Sequence, residues 1–169
     1  SEKWLRLACS LPNPPSRAFE GLGILLANRG ETIEARELWL KGLELDGHPD
    51  FFAHLARLAF SEGRETEAWD KVVRGLRRIS EQCLRASEWG DESERSGVLL
   101  QYLPEHLSEL DPPADVVEAL VDLCGQLQFP EHRVDLGMSL VECGHVPEGL
   151  RELQAGLQHV EDRDKRDLG

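Results

Sequence analysis

One spacing pattern occurs three times in this chain of 169 residues and constrains its fold more than any other feature. The first copy reads Phe19, Leu22-Gly23, Leu26, Gly30, Glu34-Ala35, Trp39, Gly42-Leu43. Moving on 33 residues gives Phe52, Leu55-Ala56, Ala59, Gly63, Glu67-Ala68, Val72, Gly75-Leu76. A further 81 residues gives Arg133, Leu136-Gly137, Leu140, Gly144, Glu148-Gly149, Leu153, Gly156-Leu157. Self-similarity at a period of about 30 to 50 residues marks a solenoid, whose units bury their apolar faces only against their neighbours. A chain built this way is expected to hold another molecule rather than to convert one.

Apolar residues recur at three- and four-residue intervals nearly everywhere, and no segment alternates at period two, so the chain is expected to be all-α. Gly30, Gly63, Gly90 and Gly144 mark helix stops. Pro15-Ser16, Pro49, Asp111-Pro112, Pro130 and Pro147 mark helix starts. These signals place helices near 2–10, 16–29, 31–45, 49–62, 64–89, 92–110, 113–127, 130–143 and 146–161. The first reads as the tail of a preceding repeat, and the others pair into four hairpins. In the fifth, Trp69, Val72, Leu76, Ile79, Cys83 and Ala86 keep one helical register, which predicts a single long helix reaching about Trp89. Since 81 is 33 plus 48, one longer hairpin fits between the second and third copies. Pro104 should kink the helix that follows, near Tyr102.

Each repeat is then a pair of helices that lean on one another. Leu22 and Leu26 line one face of the first helix, and Leu38 and Trp39 the facing side of the second. Gly23, Ala56 and Gly137 on first helices, and Ala35, Ala68 and Gly149 on second helices, are small where large residues would hold the axes apart.

The pattern resembles the tetratricopeptide repeat family. Residues 16–49 supply its aromatic, Leu-Gly, bulky, turn Gly, Ala and aromatic positions as Phe19, Leu22, Gly23, Leu26, Gly30, Ala35 and Trp39. Residues 49–82 match less closely, 130–163 match in the core positions, and 83–129 read as a divergent hairpin. The resemblance implies one domain over 1–169, a right-handed α-α superhelix of about four hairpins plus a partial N-terminal helix. Two departures stand out. The family's second Ala is Gly in every copy (Gly42, Gly75 and Gly156), although mid-helix Gly costs about 1 kcal/mol relative to Ala. That points to an unusually close helix contact. The closing Pro is replaced by Gly47 and Ser80, which leaves the geometry between repeats open.

Charge narrows the partners. Residues 1–89 carry 13 basic and 14 acidic side chains, residues 90–169 carry 6 and 18, so the net charges are −1 and −12. Such a balance argues against nucleic acid and against anionic membrane surfaces, both of which need Lys/Arg. No apolar run approaches the roughly 18 residues of a membrane span. Cys9, Cys83, Cys124 and Cys143 form no C-x-x-C pair and no zinc spacing, so buried thiols and a cytoplasmic location are expected. The six histidines lack metal spacing, and there is no phosphate loop, nucleophile motif or HExxH. No enzyme activity and no cofactor are expected. The run Asp162-Arg163-Asp164-Lys165-Arg166-Asp167 lacks calcium-loop spacing and reads as a fraying tail.

In tetratricopeptide proteins the first helices of successive hairpins line a concave groove for an extended or helical peptide. Carrying those positions across gives Arg17, Glu20, Ile24 and Asn28, then Ala53, His54, Arg57 and Ser61, then Val134, Met138 and Glu142. Of these, Arg17, Asn28, His54 and Arg57 are the candidates for holding a peptide backbone or carboxylate. The plainer reading is solvated polar residues on a concave surface. Glu20, Ile24, Ala53 and Arg57 stand where chaperone-tail binders carry their carboxylate clamp, so that role is not expected. A second candidate surface is the basic stripe of Lys71, Arg74, Arg78 and Arg85 on the fifth helix, within about 60° at 100° per residue. It would dock an acidic partner. Its plainer reading is a solvated face with the pairs Glu67–Lys71, Asp70–Arg74 and Glu81–Arg85.

The expected function is therefore a protein-interaction module with a protein or peptide partner. Two rivals are a self-assembly scaffold stacked head to tail and the non-catalytic repeat region of a larger enzyme. A start at Ser1-Glu2-Lys3-Trp4 suits a fragment of a longer protein.

Overall fold

The computed structural model describes residues 2–86, 112–126 and 130–167. Among the described residues there are eight α-helices and no strand: α1 (Glu2–Cys9), α2 (Ser16–Ala27), α3 (Thr32–Asp46), α4 (Pro49–Ser61), α5 (Glu65–Ala86), α6 (Ala114–Gln126), α7 (Pro130–Glu142) and α8 (Val146–Asp167). The helix expected near 92–110, the stop at Gly90 and the kink at Pro104 lie outside the described residues.

Glycine and proline set most boundaries. Gly30, Gly63 and Gly144 have φ of +84°, +71° and +88°, the left-handed geometry that side chains with a Cβ resist. Each lets the following N–H turn back into the helix: Glu31 donates to the Leu26 carbonyl, Arg64 to Ala59 and His145 to Leu140, at 2.9–3.0 Å. All three bonds span five residues, the hydrogen-bonded stop that satisfies otherwise orphaned carbonyls. Pro49 opens α4, and the His48 imidazole Nδ1 caps it by accepting the Asp50 N–H at 3.4 Å. The long fifth helix is present, since its stripe meets no Gly or Pro signal before Ala86 other than the buried Gly75.

One boundary differs. The helix expected to end near 161 runs to Asp167, through the charged run read as a tail. Mixed Asp, Arg and Lys without Gly or Pro before Gly169 supply no stop signal, so the backbone continues.

The chain divides into two compact units, Ser1–Arg78 and Ile79–Gly169, with the division inside α5. In the first unit α2 and α3 form a hairpin flanked by α1 on one side and α4 on the other. Phe19, Leu22, Leu26, Ala35, Leu38, Trp39, Phe51, Leu55 and Leu58 make its core, with Leu5 and Cys9 of α1 packed against it. Burial pushes the Cys9 thiol up. The small residues have visible causes. A Cβ on Gly23 would overlap the Trp39 indole, and one on Gly42 would overlap the outer edge of the Phe51 ring. The close contact expected at the second-Ala position is thus present at Gly42, where α4 drives Phe51 against α3.

The missing closing proline also has a physical account. Gly47 ends α3 at φ +66°, donating its N–H to the Leu43 carbonyl at 2.9 Å. Its own carbonyl accepts a hydrogen bond from Arg78 Nε of α5 at 3.2 Å.

In the second unit α7 and α8 form the main hairpin, and α6 touches both. Val116, Val117, Leu120 and Leu123 bury the inner face of α6, and Leu136 and Leu140 that of α7. Gly137 and Gly149 face one another so closely that a Cβ on either would meet the other's carbonyl oxygen, at 2.9 and 2.7 Å. Beside them Arg133 Nε donates to Glu152 Oε2 at 3.0 Å, and Glu152 is only 2 % exposed.

Candidate functional site

The first unit presents a cavity of about 230 Å³ lined by α2, α3 and α4. Its lining comprises Ile24, Ala27 and Asn28 from the end of α2, Thr32 and Trp39 from α3, and His54, Arg57, Leu58 and Ser61 from α4. The spacing explains the convergence. Ile24 and Asn28 are one turn apart on α2, and His54, Arg57, Leu58 and Ser61 recur at three- and four-residue intervals on α4. Both helices project these positions to the same side, and Trp39 of α3 forms part of the wall between them.

Three of the four groove candidates meet here: Asn28, His54 and Arg57. Asn28 and Arg57 are exposed, whereas His54 is buried. Its ring stacks on Trp39 with centroids 5.0 Å apart and planes 19° from parallel. Its Nε2 lies 3.2 Å from Glu20 Oε1, and the Trp39 indole N–H donates to the Glu20 carbonyl at 3.4 Å. Glu20, Trp39 and His54 thereby join α2, α3 and α4, so His54 shapes the cavity wall and its Nε2 is engaged with Glu20. Arg17 does not line the cavity; it is exposed in the first turn of α2, where its charge helps stabilise the Glu20 carboxylate.

The His54 hydrogen bond is the main reason the Glu20 carboxyl lies below the ordinary carboxylate range; burial opposes it and the charges of His48 and Arg17 add to it. The sign of the consequence follows. A carboxyl whose folded value is depressed contributes stability that is fully present above its unfolded value, about 4.3, and is lost as pH falls through the folded value. Denaturant midpoints measured between pH 6 and pH 3 should therefore fall less steeply for Glu20→Gln than for the parent chain. Parallel curves would remove Glu20 as a contributor to acid sensitivity.

The basic stripe of α5 is distributed among neighbours within the chain. Arg74 Nε pairs with Asp70 at 3.0 Å, as the i,i+4 spacing anticipates. Lys71 Nζ lies 3.7 Å from Asp70, not beside Glu67, because Glu67 faces Arg64 and Arg36. Arg78 is half-buried and donates to Gly47. The side chain of Arg85 lies outside the described residues, and so does the Glu81–Arg85 pair. In the second unit Val134 is half-buried, and Met138 and Glu142 are exposed along α7.

Sequence reasoning assigned Trp39 to the core alone and did not anticipate its place in the cavity wall. The signal was Gly23: a glycine 16 residues before a tryptophan, on the facing helix, leaves room for an indole to cross between two helices. Among the described residues no three His, Cys, Asp or Glu side chains gather as metal ligands, and no helix is long and apolar enough to cross a membrane. Compared with protein-family models and with curated proteins, the chain matches none.

Proposed function

We propose that this chain is a protein-interaction module of tetratricopeptide type that holds a peptide segment in the groove between α2 and α4. The observation that carries the reading is the convergence of Ile24, Asn28, His54, Arg57 and Ser61, all groove positions of the repeat, on one cavity. At about 230 Å³ it is smaller than the roughly 300–1,000 Å³ typical of cofactor and small-molecule pockets. It suits one inserted side chain of a longer ligand. Ile24, Ala27, Trp39 and Leu58 offer an apolar floor, and Asn28, Arg57 and Ser61 offer polar groups for backbone or carboxylate. The groove is built on helices whose core contacts exist without ligand, so little ordering of the receptor accompanies binding.

The test is affinity capture from cell extract with the parent chain and with Ile24→Glu/Arg57→Glu. Both residues are exposed, so the fold should persist, as far-UV circular dichroism would verify. The expected result is a protein retained by the parent chain and lost, by tenfold or more, with the variant. Retention of the same proteins by both would remove the groove as the binding site.

A further inference from the structure

The groove has a sign as well as a shape. Of the helices that line it, α2 and α4 each carry one exposed charged side chain, Arg17 and Arg57, and both are cations. The acids of the same two helices are turned aside. Glu20 is half-buried and meets His54 Nε2 at 3.2 Å, and Asp50 is half-buried with its carboxylate 3.6 Å from His48 Nδ1. Glu62, just past the end of α4, pairs with Arg36 and Arg64. Glu31 is exposed on the turn before α3, at the opposite end of α2 from Arg17. The positive face of α2 and α4 therefore stands against the trend of a chain whose net charge is −13.

Helical register ties both cations to the cavity. Arg57 lines it directly. Arg17, Ile24 and Asn28 fall within about 40° of one another at 100° per residue, so Arg17 extends the α2 face that Ile24 and Asn28 present to the cavity. Arg17 precedes Ile24 by two helical turns, about 10 Å at 1.5 Å per residue. An extended chain covers that distance in about three residues, at roughly 3.3–3.6 Å each. The cavity itself sets the size of what enters. An apolar cavity of about 150 Å³ holds a benzene ring. This one, at about 230 Å³ with Ile24, Ala27, Trp39 and Leu58 in its wall, takes a large apolar side chain such as Phe or Leu.

We infer that the ligand of this groove is an extended acidic segment: one large apolar side chain fills the cavity, a carboxylate beside it pairs with Arg57, and a second carboxylate about three residues along pairs with Arg17. Each guanidinium can hold a carboxylate through two parallel N–H donors. A basic segment would set like charges against both arginines, which excludes it as a partner. The inference rests on the groove being the binding site and adds to that reading the sign and spacing of the ligand.

The test is selection from a library of short random peptides on the parent chain, followed by affinity measurements on synthetic copies. Selected peptides should share a Phe, Trp, Leu or Met with Asp or Glu next to it and again about three residues away. Their binding should be lost with Ile24→Glu and weakened about tenfold with Arg57→Ala. All the substituted positions are exposed, and far-UV circular dichroism would verify that the helices persist. Selection on Arg17→Glu/Arg57→Glu should return Lys or Arg at the places where the parent chain selects acids, an inversion that a merely structural role of the arginines would not produce. Peptides that depend on Ile24 but carry neutral or basic flanks would overturn the inference and leave the groove reading intact. An acidic preference unchanged in the charge-reversed variant would do the same. A selection that returns no peptide, or peptides indifferent to Ile24→Glu, would overturn the groove reading and the inference with it.

Discussion

Glu152→Ala is expected to lower unfolding stability by about 3 kcal/mol, a large share of the roughly 5–15 kcal/mol of a typical domain. The reason is the Arg133–Glu152 pair inside the α7–α8 hairpin. Glu152 is buried, and its partner Arg133 is half-buried, with Nε 3.0 Å from the carboxylate. Removing the carboxylate leaves a poorly solvated guanidinium without compensation, which costs more than the pair itself contributes. The repeat supplies the comparison. Subtracting 114 from 133 and 152 gives 19 and 38, and in the first hairpin those positions are the buried Phe19 and Leu38. Arg133→Phe/Glu152→Leu installs that apolar pair in the second unit. It should match or exceed the parent stability, because an apolar pair carries no desolvation penalty. Urea titrations followed by far-UV circular dichroism distinguish the cases. A double variant as unstable as Glu152→Ala would mean that the surrounding packing, not the charge, requires the native residues.

The mid-helix glycines at close helix contacts give the second large effect. In isolation Gly42→Ala should stabilise α3 by about 1 kcal/mol. Here the added methyl would overlap the outer edge of the Phe51 ring, which is itself buried in the core. A net loss of about 2 kcal/mol is expected, as for other overpacked cores. Phe51→Leu in the same chain should recover part of it, giving a favourable coupling energy in a double-mutant cycle. Gly149→Ala should be the more severe change, at about 3 kcal/mol. Its Cβ would stand 2.7 Å from the Gly137 carbonyl oxygen and 2.9 Å from the Val141 nitrogen. Those are backbone atoms, so the overlap is relieved only by separating α7 from α8. Additive behaviour of Gly42→Ala and Phe51→Leu, or a stabilised Gly149→Ala, would contradict these packing assignments.

Local signals in the sequence were read well because their causes are local. The left-handed stops at Gly30, Gly63 and Gly144 and the proline start at Pro49 act within a few residues, so the helix boundaries followed. The run at 162–167 reads as a fraying tail beyond a helix end near 161, yet no breaker residue stands there and the helix continues to Asp167. The repeat register brings Asn28, His54 and Arg57 together as candidates, and the three line one cavity. What the register did not carry was the state of each side chain. By position His54 groups with solvated polar residues, yet it is buried, stacked on Trp39 and in contact with Glu20. Arg78 was grouped by helical angle with Lys71 and Arg74, yet it reaches Gly47, 31 residues away.

By itself, then, the sequence determined the helical character of the described residues, most of their helix boundaries and the small residues at helix crossings, because periodicity, capping and steric size act along the chain or repeat within it. The tertiary structure decided which polar groups are engaged: His54 with Glu20, Arg133 with Glu152 and Arg78 with Gly47. Burial and charge partnership depend on residues distant in sequence, and only the folded chain brings them within hydrogen-bonding distance.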